Sequence, residues 1–132
     1  VRERVSYMKD TIEPLAEAKL QLVEDGAEIF PQIRVFRSEG HTHGLQWLLI
    51  GEGKGAIAYP ADMIPTAHHL PIPYVMGYDL CAETTMREKE AFLSRAVSEQ
   101  WIVVYEHDAD TSASTVRKDE KGRYIVGERV SL

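Results

Sequence analysis

The spacing of hydrophobic and polar positions changes several times along the chain, and each change predicts an element. Val5, Met8, Ile12 and Leu15 recur at intervals of three and four. That stripe predicts an amphipathic helix from Val1 to about Leu15, with Pro14 kinking or ending it. Leu20 to Val23 is a short apolar strand candidate stopped by the turn signal Asp25-Gly26, and Ala27 to Phe30 is a returning strand. Ile33 to Arg37 partly alternates, as a strand with one buried face does. Leu45 to Ile50 has few polar positions, and Gly51-Glu52-Gly53-Lys54-Gly55 turns it into a further strand, Ala56 to Tyr59. From Pro60 to about Glu83 the chain reads as one long irregular loop, of the kind that often carries function.

The second half of the pattern is simpler. Thr85-Met86-Arg87-Glu88 fits a capping box, so a helix is predicted from Thr85 to about Gln100. Met86, Leu93, Ala96 and Val97 form its buried stripe, and Arg87, Glu88, Glu90 and Arg95 its solvated side. Trp101 to Tyr105 is a continuous apolar run, consistent with a strand covered on both faces. Thr115 to Lys118 and Arg123 to Val126 are strand candidates joined by a polar turn at Lys121-Gly122. Trp47 and Trp101 are expected in the core or on a sheet face, and Cys81 is expected to be a small buried residue.

Composition narrows the classes open to this chain. With 132 residues, 44% hydrophobic and 27% charged, it reads as a single globular domain over 1–132. Fifteen basic residues against 21 acidic ones leave a net charge of -6 and no basic stripe, which argues against a nucleic-acid partner. One cysteine rules out an intrachain disulfide and suggests a reducing, cytoplasmic compartment. No apolar run approaches membrane-spanning length, so no membrane partner is expected. Val1-Arg2-Glu3-Arg4 has no signal-peptide core and no initiator Met, as in a processed product or an excerpt of a longer protein.

Candidate chemistry centres on Gly40-His41-Thr42-His43-Gly44, between two strand-like runs. In extended chain an H-x-H pair points both imidazoles to one side, and imidazole is the commonest ligand for zinc, copper, iron and nickel. Taken alone, the stretch is more often a polar turn with two solvated histidines. Two further positions change the balance. Asp62 follows the strand Ala56 to Tyr59, and His107 follows Trp101 to Tyr105. If these strands are neighbours in one sheet, their ends bring His41, Asp62 and His107 together, and imidazole nitrogen with carboxylate oxygen suits zinc, manganese or iron. Asp62 alternatively opens its loop as an Asx turn, and His107 is alternatively a surface histidine held by Asp108.

From about Leu20 to its end the chain resembles the C-terminal half of a metallo-β-lactamase-fold hydrolase. The resemblance is carried by Gly40-His41-Thr42-His43-Gly44, by Tyr59-Pro60-Ala61-Asp62 and by Tyr105-Glu106-His107-Asp108, in order and spacing. It implies an α+β fold: half of an αβ/βα sandwich, one mostly antiparallel sheet with helices on its outer face. It also implies a metal-dependent hydrolase, zinc being the expected metal, that attacks substrate through a metal-bound hydroxide. His41 would bind one divalent ion, His107 a second, and Asp62 would bridge them. Asp108 would orient the His107 ring, and the role of His43 in the pocket stays open. His68 and His69 could line the pocket or add ligands, but the commoner reading is a polar loop with one ring facing solvent.

The departures define what the chain lacks. The superfamily's N-terminal His-x-His-x-Asp-His motif, with most of the metal ligands, is absent here. Ala61 stands where the family often has glycine, His43 where it often has proline, and Leu45 where it often has a second histidine. As an isolated chain it is therefore expected to be inactive and to bind metal weakly or not at all. Half a sandwich leaves a sheet face uncovered, with Leu48, Ile50 and Ile57 or their alternates toward water. That face predicts a homodimer or docking of the missing half, and a non-catalytic self-associating half-domain is the alternative of another class. A third reading is a cupin, similar in His41-Thr42-His43 followed by Gly51-Glu52-Gly53. It wants a glutamate where Gln46 stands and strands where 85 to 100 predicts a helix.

Overall fold

The computed structural model describes residues 8–131. Its organising element is one mixed sheet of seven strands, arranged in chain order: β1 (Glu28–Phe30), β2 (Ile33–Ser38), β3 (Leu45–Ile50), β4 (Ile57–Tyr59), β5 (Ile102–Val104), β6 (Ala113–Lys118) and β7 (Tyr124–Val130). Every neighbouring pair is antiparallel except β4 and β5, which run parallel. A parallel pair needs a crossover. Here it contains two 3-10 turns, Ala61–Met63 and Ala67–His69, and the main helix Ala82–Ser98. The expected α+β half-sandwich, one mostly antiparallel sheet flanked by helix, is what the chain forms.

Ahead of the sheet, α1 (Lys9–Ile12) continues as a 3-10 turn over Glu13–Glu17. Met8, Ile12 and Leu15 are exposed, so this part of the predicted apolar stripe meets no core; Val5 lies outside the described residues. Leu20 to Val23 does not form the strand its composition suggests, and Leu22 is fully exposed. The outer edge of β2 is already taken. Gly26 donates to the Val35 carbonyl, Val35 donates to Ala27, and Arg37 donates its amide to Asp25 Oδ1.

The main helix, α2 (Ala82–Ser98), begins earlier than its capping-box pattern implies, with Cys81 at the N-cap and exposed rather than buried. Thr85 is not a cap. It is buried inside the helix, where its hydroxyl donates back to the Cys81 carbonyl, a local bond that Thr makes readily. Glu88 is not fully solvated either: it accepts from Ser38 Oγ at 2.6 Å and from the Glu39 amide at 3.1 Å, binding the helix to the end of β2.

The core lies between α2 and one face of the sheet. Phe92, Leu93 and Ala96 of the helix meet Trp47, Leu49, Ala58, Val103, Val116 and Tyr124 of the strands, with Trp101 fully buried beside them. Phe36 stacks on Trp47 at 4.1 Å, and Phe92 stands edge-on to both Trp47 and Trp101. Burying each such aliphatic or aromatic side chain contributes about 1.5–3 kcal/mol.

Alternate residues of the same strands point away from the helix. The register aligns Ile33, Ile50, Ile57, Ile102 and Thr115 in one row across β2 to β6. Ile50 is exposed, and Leu48, Ile57, Ile102 and Val104 are only half-buried. This second face therefore presents apolar side chains that nothing among the described residues covers fully.

Candidate metal centre

Strand direction determines where the candidate ligands meet. β2 and β4 are each antiparallel to β3, and β5 is parallel to β4, so β2, β4 and β5 all end at the same edge of the sheet. His41 follows β2, Asp62 follows β4 and His107 follows β5. Asp62 Oδ2 stands 3.5 Å from His41 Nε2, and Asp62 Oδ1 stands 3.2 Å from His107 Nε2. The carboxylate thus lies between the two imidazoles with one oxygen toward each. Loop bonds hold the three segments: the His107 amide donates to the Pro65 carbonyl, Leu80 to His41 and Cys81 to Gly40.

Two small residues allow this convergence. A Cβ added at Gly40 would sit 2.4 Å from the backbone nitrogen of Thr85 and 2.6 Å from its Cα, so only glycine lets α2 approach the His41 segment. Ala61, at φ 49°, occupies the left-handed region that turns the chain sharply into Asp62.

His41 is fixed from behind. Its Nδ1 donates to Asp79 Oδ1 at 2.8 Å, and the Asp79 side chain is almost wholly buried. In a neutral imidazole this leaves the Nε2 lone pair facing Asp62. A lone pair opposed to a carboxylate oxygen is unfavourable unless a proton or cation lies between them. Two ligand atoms on one ion, at bonds of about 2.1 Å, stand roughly 3.0–3.4 Å apart. The His107–Asp62 separation agrees with this and the His41–Asp62 separation is slightly longer, so two imidazoles and a carboxylate fit a divalent metal in both chemistry and spacing.

Other residues close in around the centre. One ligand atom each from Asp62, Glu106 and His107 lie within 4.8 Å of one another. Glu106 Oε1 is 3.5 Å from His107 Nε2, while Glu106 Oε2 accepts the Tyr59 hydroxyl. That donation, with burial and the charges of Glu106 and Asp62, pushes the Tyr59 hydroxyl up to about 12. Behind the loop, the fully buried Lys89 donates its ammonium to the carbonyls of His69, Pro71 and Tyr74 at 3.0, 3.0 and 2.7 Å. Burial pulls Lys89 down to about 8, against the opposing charge of Asp79.

His41, Asp62 and His107 are thus brought together, whereas the other candidates lie apart from them. His43 is exposed and pairs with Glu39 at 3.1 Å. His68 is exposed, and His69 Nδ1 meets Thr66 Oγ1 at 2.8 Å, its basicity lowered by burial and then by Lys89. Asp108 accepts the amides of Ala67, Asp110 and Thr111, so it braces the loop between Pro65 and Ala67. Asp79, Glu106 and Lys89 are neighbours of this site that the hydrophobic pattern and the motifs do not single out. Glu106 adjoins His107 in the chain, a signal that was there to be read.

No protein-family model and no curated protein matches the chain, but solved structures do. A probable metal-dependent hydrolase from Staphylococcus aureus is 27% identical over 86% of this chain and 42% of its own, with a TM-score of 0.69. The fold is that of metallo-β-lactamase-superfamily hydrolases. AidC, a dizinc quorum-quenching lactonase, shares this metallo-β-lactamase fold at TM-score 0.71, with 17% identity over 93% of this chain and 41% of its own. The hydrolase AbOPH of the beta lactamase superfamily reaches 0.77, with 11% identity over 98% of this chain and 45% of its own. The chain spans less than half the length of each of the three. Among the described residues, no helix is long and apolar enough to cross a membrane.

Proposed function

We propose that this chain is the C-terminal half of a two-metal hydrolase of the metallo-β-lactamase superfamily. His41 would hold one divalent ion and His107 the other, with the Asp62 carboxylate shared between them; zinc suits this donor set. The observation that carries the reading is the Asp62 carboxylate, with one oxygen toward each imidazole. When bound, the ions supply Lewis acidity and lower the pKa of a water ligand toward neutrality, which serves hydrolysis of an ester, lactone, amide, thioester or phosphoester. Asp79 fixes the tautomer and direction of His41. Lys89 holds the loop through which Asp79 reaches it.

The test is the metal content of the protein expressed together with the sequence encoded upstream of Val1. Two equivalents of zinc are expected, falling below one in the Asp62→Asn variant. Retention of both ions without the Asp62 carboxylate would overturn the assignment.

The apolar rows on the second sheet face support a partner in two forms. In the longer protein it is the missing half-sandwich, and for the isolated chain it is a second copy in a symmetric dimer. Light scattering at micromolar concentration is expected to give a dimer mass; a monomer refutes that arrangement.

A further inference from the structure

The two metal positions are not equivalent within this chain. His41 is backed by the buried Asp79, but beside His107 stands a second carboxylate. We infer that Glu106 is a third protein ligand at the ion position of Asp62 and His107, making an oxygen-rich divalent-cation site contained within this chain. The inference rests on the metal reading of Asp62 and His107 given above.

Three observations carry it. Glu106 Oε1, Asp62 Oδ1 and His107 Nε2 cluster around one point: Oδ1 is 3.2 Å and Oε1 3.5 Å from the imidazole nitrogen, and one ligand atom from each of the three residues lies within 4.8 Å of the others. The two distances to the imidazole nitrogen are close to those between atoms around a common ion. The Tyr59 hydroxyl, at the end of β4, engages the other Glu106 oxygen, which leaves Oε1 aimed at His107. A partner that orients a carboxylate in this way is a regular companion of metal ligation. Finally, two carboxylates this close repel each other, and Tyr59 relieves only one oxygen of one of them. A divalent ion neutralises the pair.

Two oxygens and one nitrogen form a harder donor set than two imidazoles, so the site should accept manganese as well as zinc. It should also work without the absent half, because all three ligands are in hand.

The experiment titrates manganese into the 132-residue chain and follows loss of the free-ion signal by electron paramagnetic resonance. One equivalent is expected to bind. Glu106→Gln should bind at least about tenfold more weakly, since even losing a partner of a ligand costs roughly 10–100-fold. Tyr59→Phe, which keeps the carboxylate and removes its partner, should bind about tenfold more weakly. Circular dichroism matching the parent's establishes that each variant is folded. Weakened binding in Asp62→Asn and His107→Ala with Glu106→Gln unchanged would overturn the role of Glu106 and leave the two-metal reading standing. No binding by the parent chain would do the same, since that reading draws its other ligands from elsewhere. Manganese binding indifferent to Asp62 and His107 would overturn both.

Discussion

Replacing Lys89 with methionine removes a charged side chain sealed inside the fold, and its consequences are calculable from the bonds it makes. The carbonyls of His69 and Tyr74 lose their donor, while that of Pro71 keeps the Tyr74 amide at 2.9 Å. A buried acceptor left unpaired costs about 1–3 kcal/mol, so two cost roughly 2–6 kcal/mol if neither finds water. Methionine fills the lysine stem's volume and relieves the desolvated ammonium, and the loop can open to solvent. Both offset part of the loss. A net destabilisation of about 2–4 kcal/mol is expected, read as the difference in unfolding free energy from urea denaturation. The pH dependence gives an independent check. Lys89 titrates near 8 in the folded chain and at its ordinary 10.5 when unfolded, so between these values the unfolded state binds the extra proton. Raising the pH through that window favours the folded parent, while the methionine variant has no proton to exchange at this position. The stability gap between parent and variant should therefore widen from pH 8 to 10.5 and stay constant below 8. Tyrosine titration above about pH 10 affects both proteins alike and cancels in the difference. A gap below about 0.5 kcal/mol, or one that narrows across the window, would refute the clamp.

Three further outcomes are expected. Gly40→Ala places a methyl against the Thr85 backbone, which no rotamer change relieves, so thermal unfolding should fall by the equivalent of about 2–4 kcal/mol; an unchanged midpoint would show that α2 does not approach this closely. Ala61→Gly should raise stability or leave it level, by up to about 1 kcal/mol, because the left-handed backbone costs an L-residue roughly 1–2 kcal/mol and glycine nothing, less glycine's greater entropy when unfolded. A loss above about 1 kcal/mol in denaturant melts would contradict the strained turn. Asp79→Asn should abolish the preference of His41 for the tautomer protonated at Nδ1, as seen in the nitrogen-15 shifts of its ring, and identical shifts in parent and variant would remove Asp79 from that role.

Much of the sheet could be read from the chain because its strands bury one face. Ile33 to Arg37 alternates and Leu45 to Ile50 is flanked by glycine turns, and the observed β2 and β3 match within one residue. The convergence of His41, Asp62 and His107 was legible for the same reason, since each follows a strand and strand ends share an edge. Leu20 to Val23 misled because apolar composition says nothing of whether a free edge exists, and Asp25 to Ala27 had occupied it. Lys89 was invisible to a helical wheel, which assigns any lysine to solvent. Its place four residues after Thr85 and three before Phe92, both buried, is the only trace. Asp79 was harder still: a carboxylate in a loop has no period, and its partner His41 is 38 positions away.

The parallel pairing of β4 with β5 separates two things that are usually entangled in a loop-built centre. The Asp62–His107 separation follows from strand register and from the His107 amide bond to Pro65. It does not depend on how long a path the chain takes between them. Residues inserted at the exposed stretch of the crossover around Tyr74 to Tyr78 would reshape the entrance while leaving ligand spacing intact. The Asp62–His107 arrangement can thus pass unchanged through insertion and deletion in that segment.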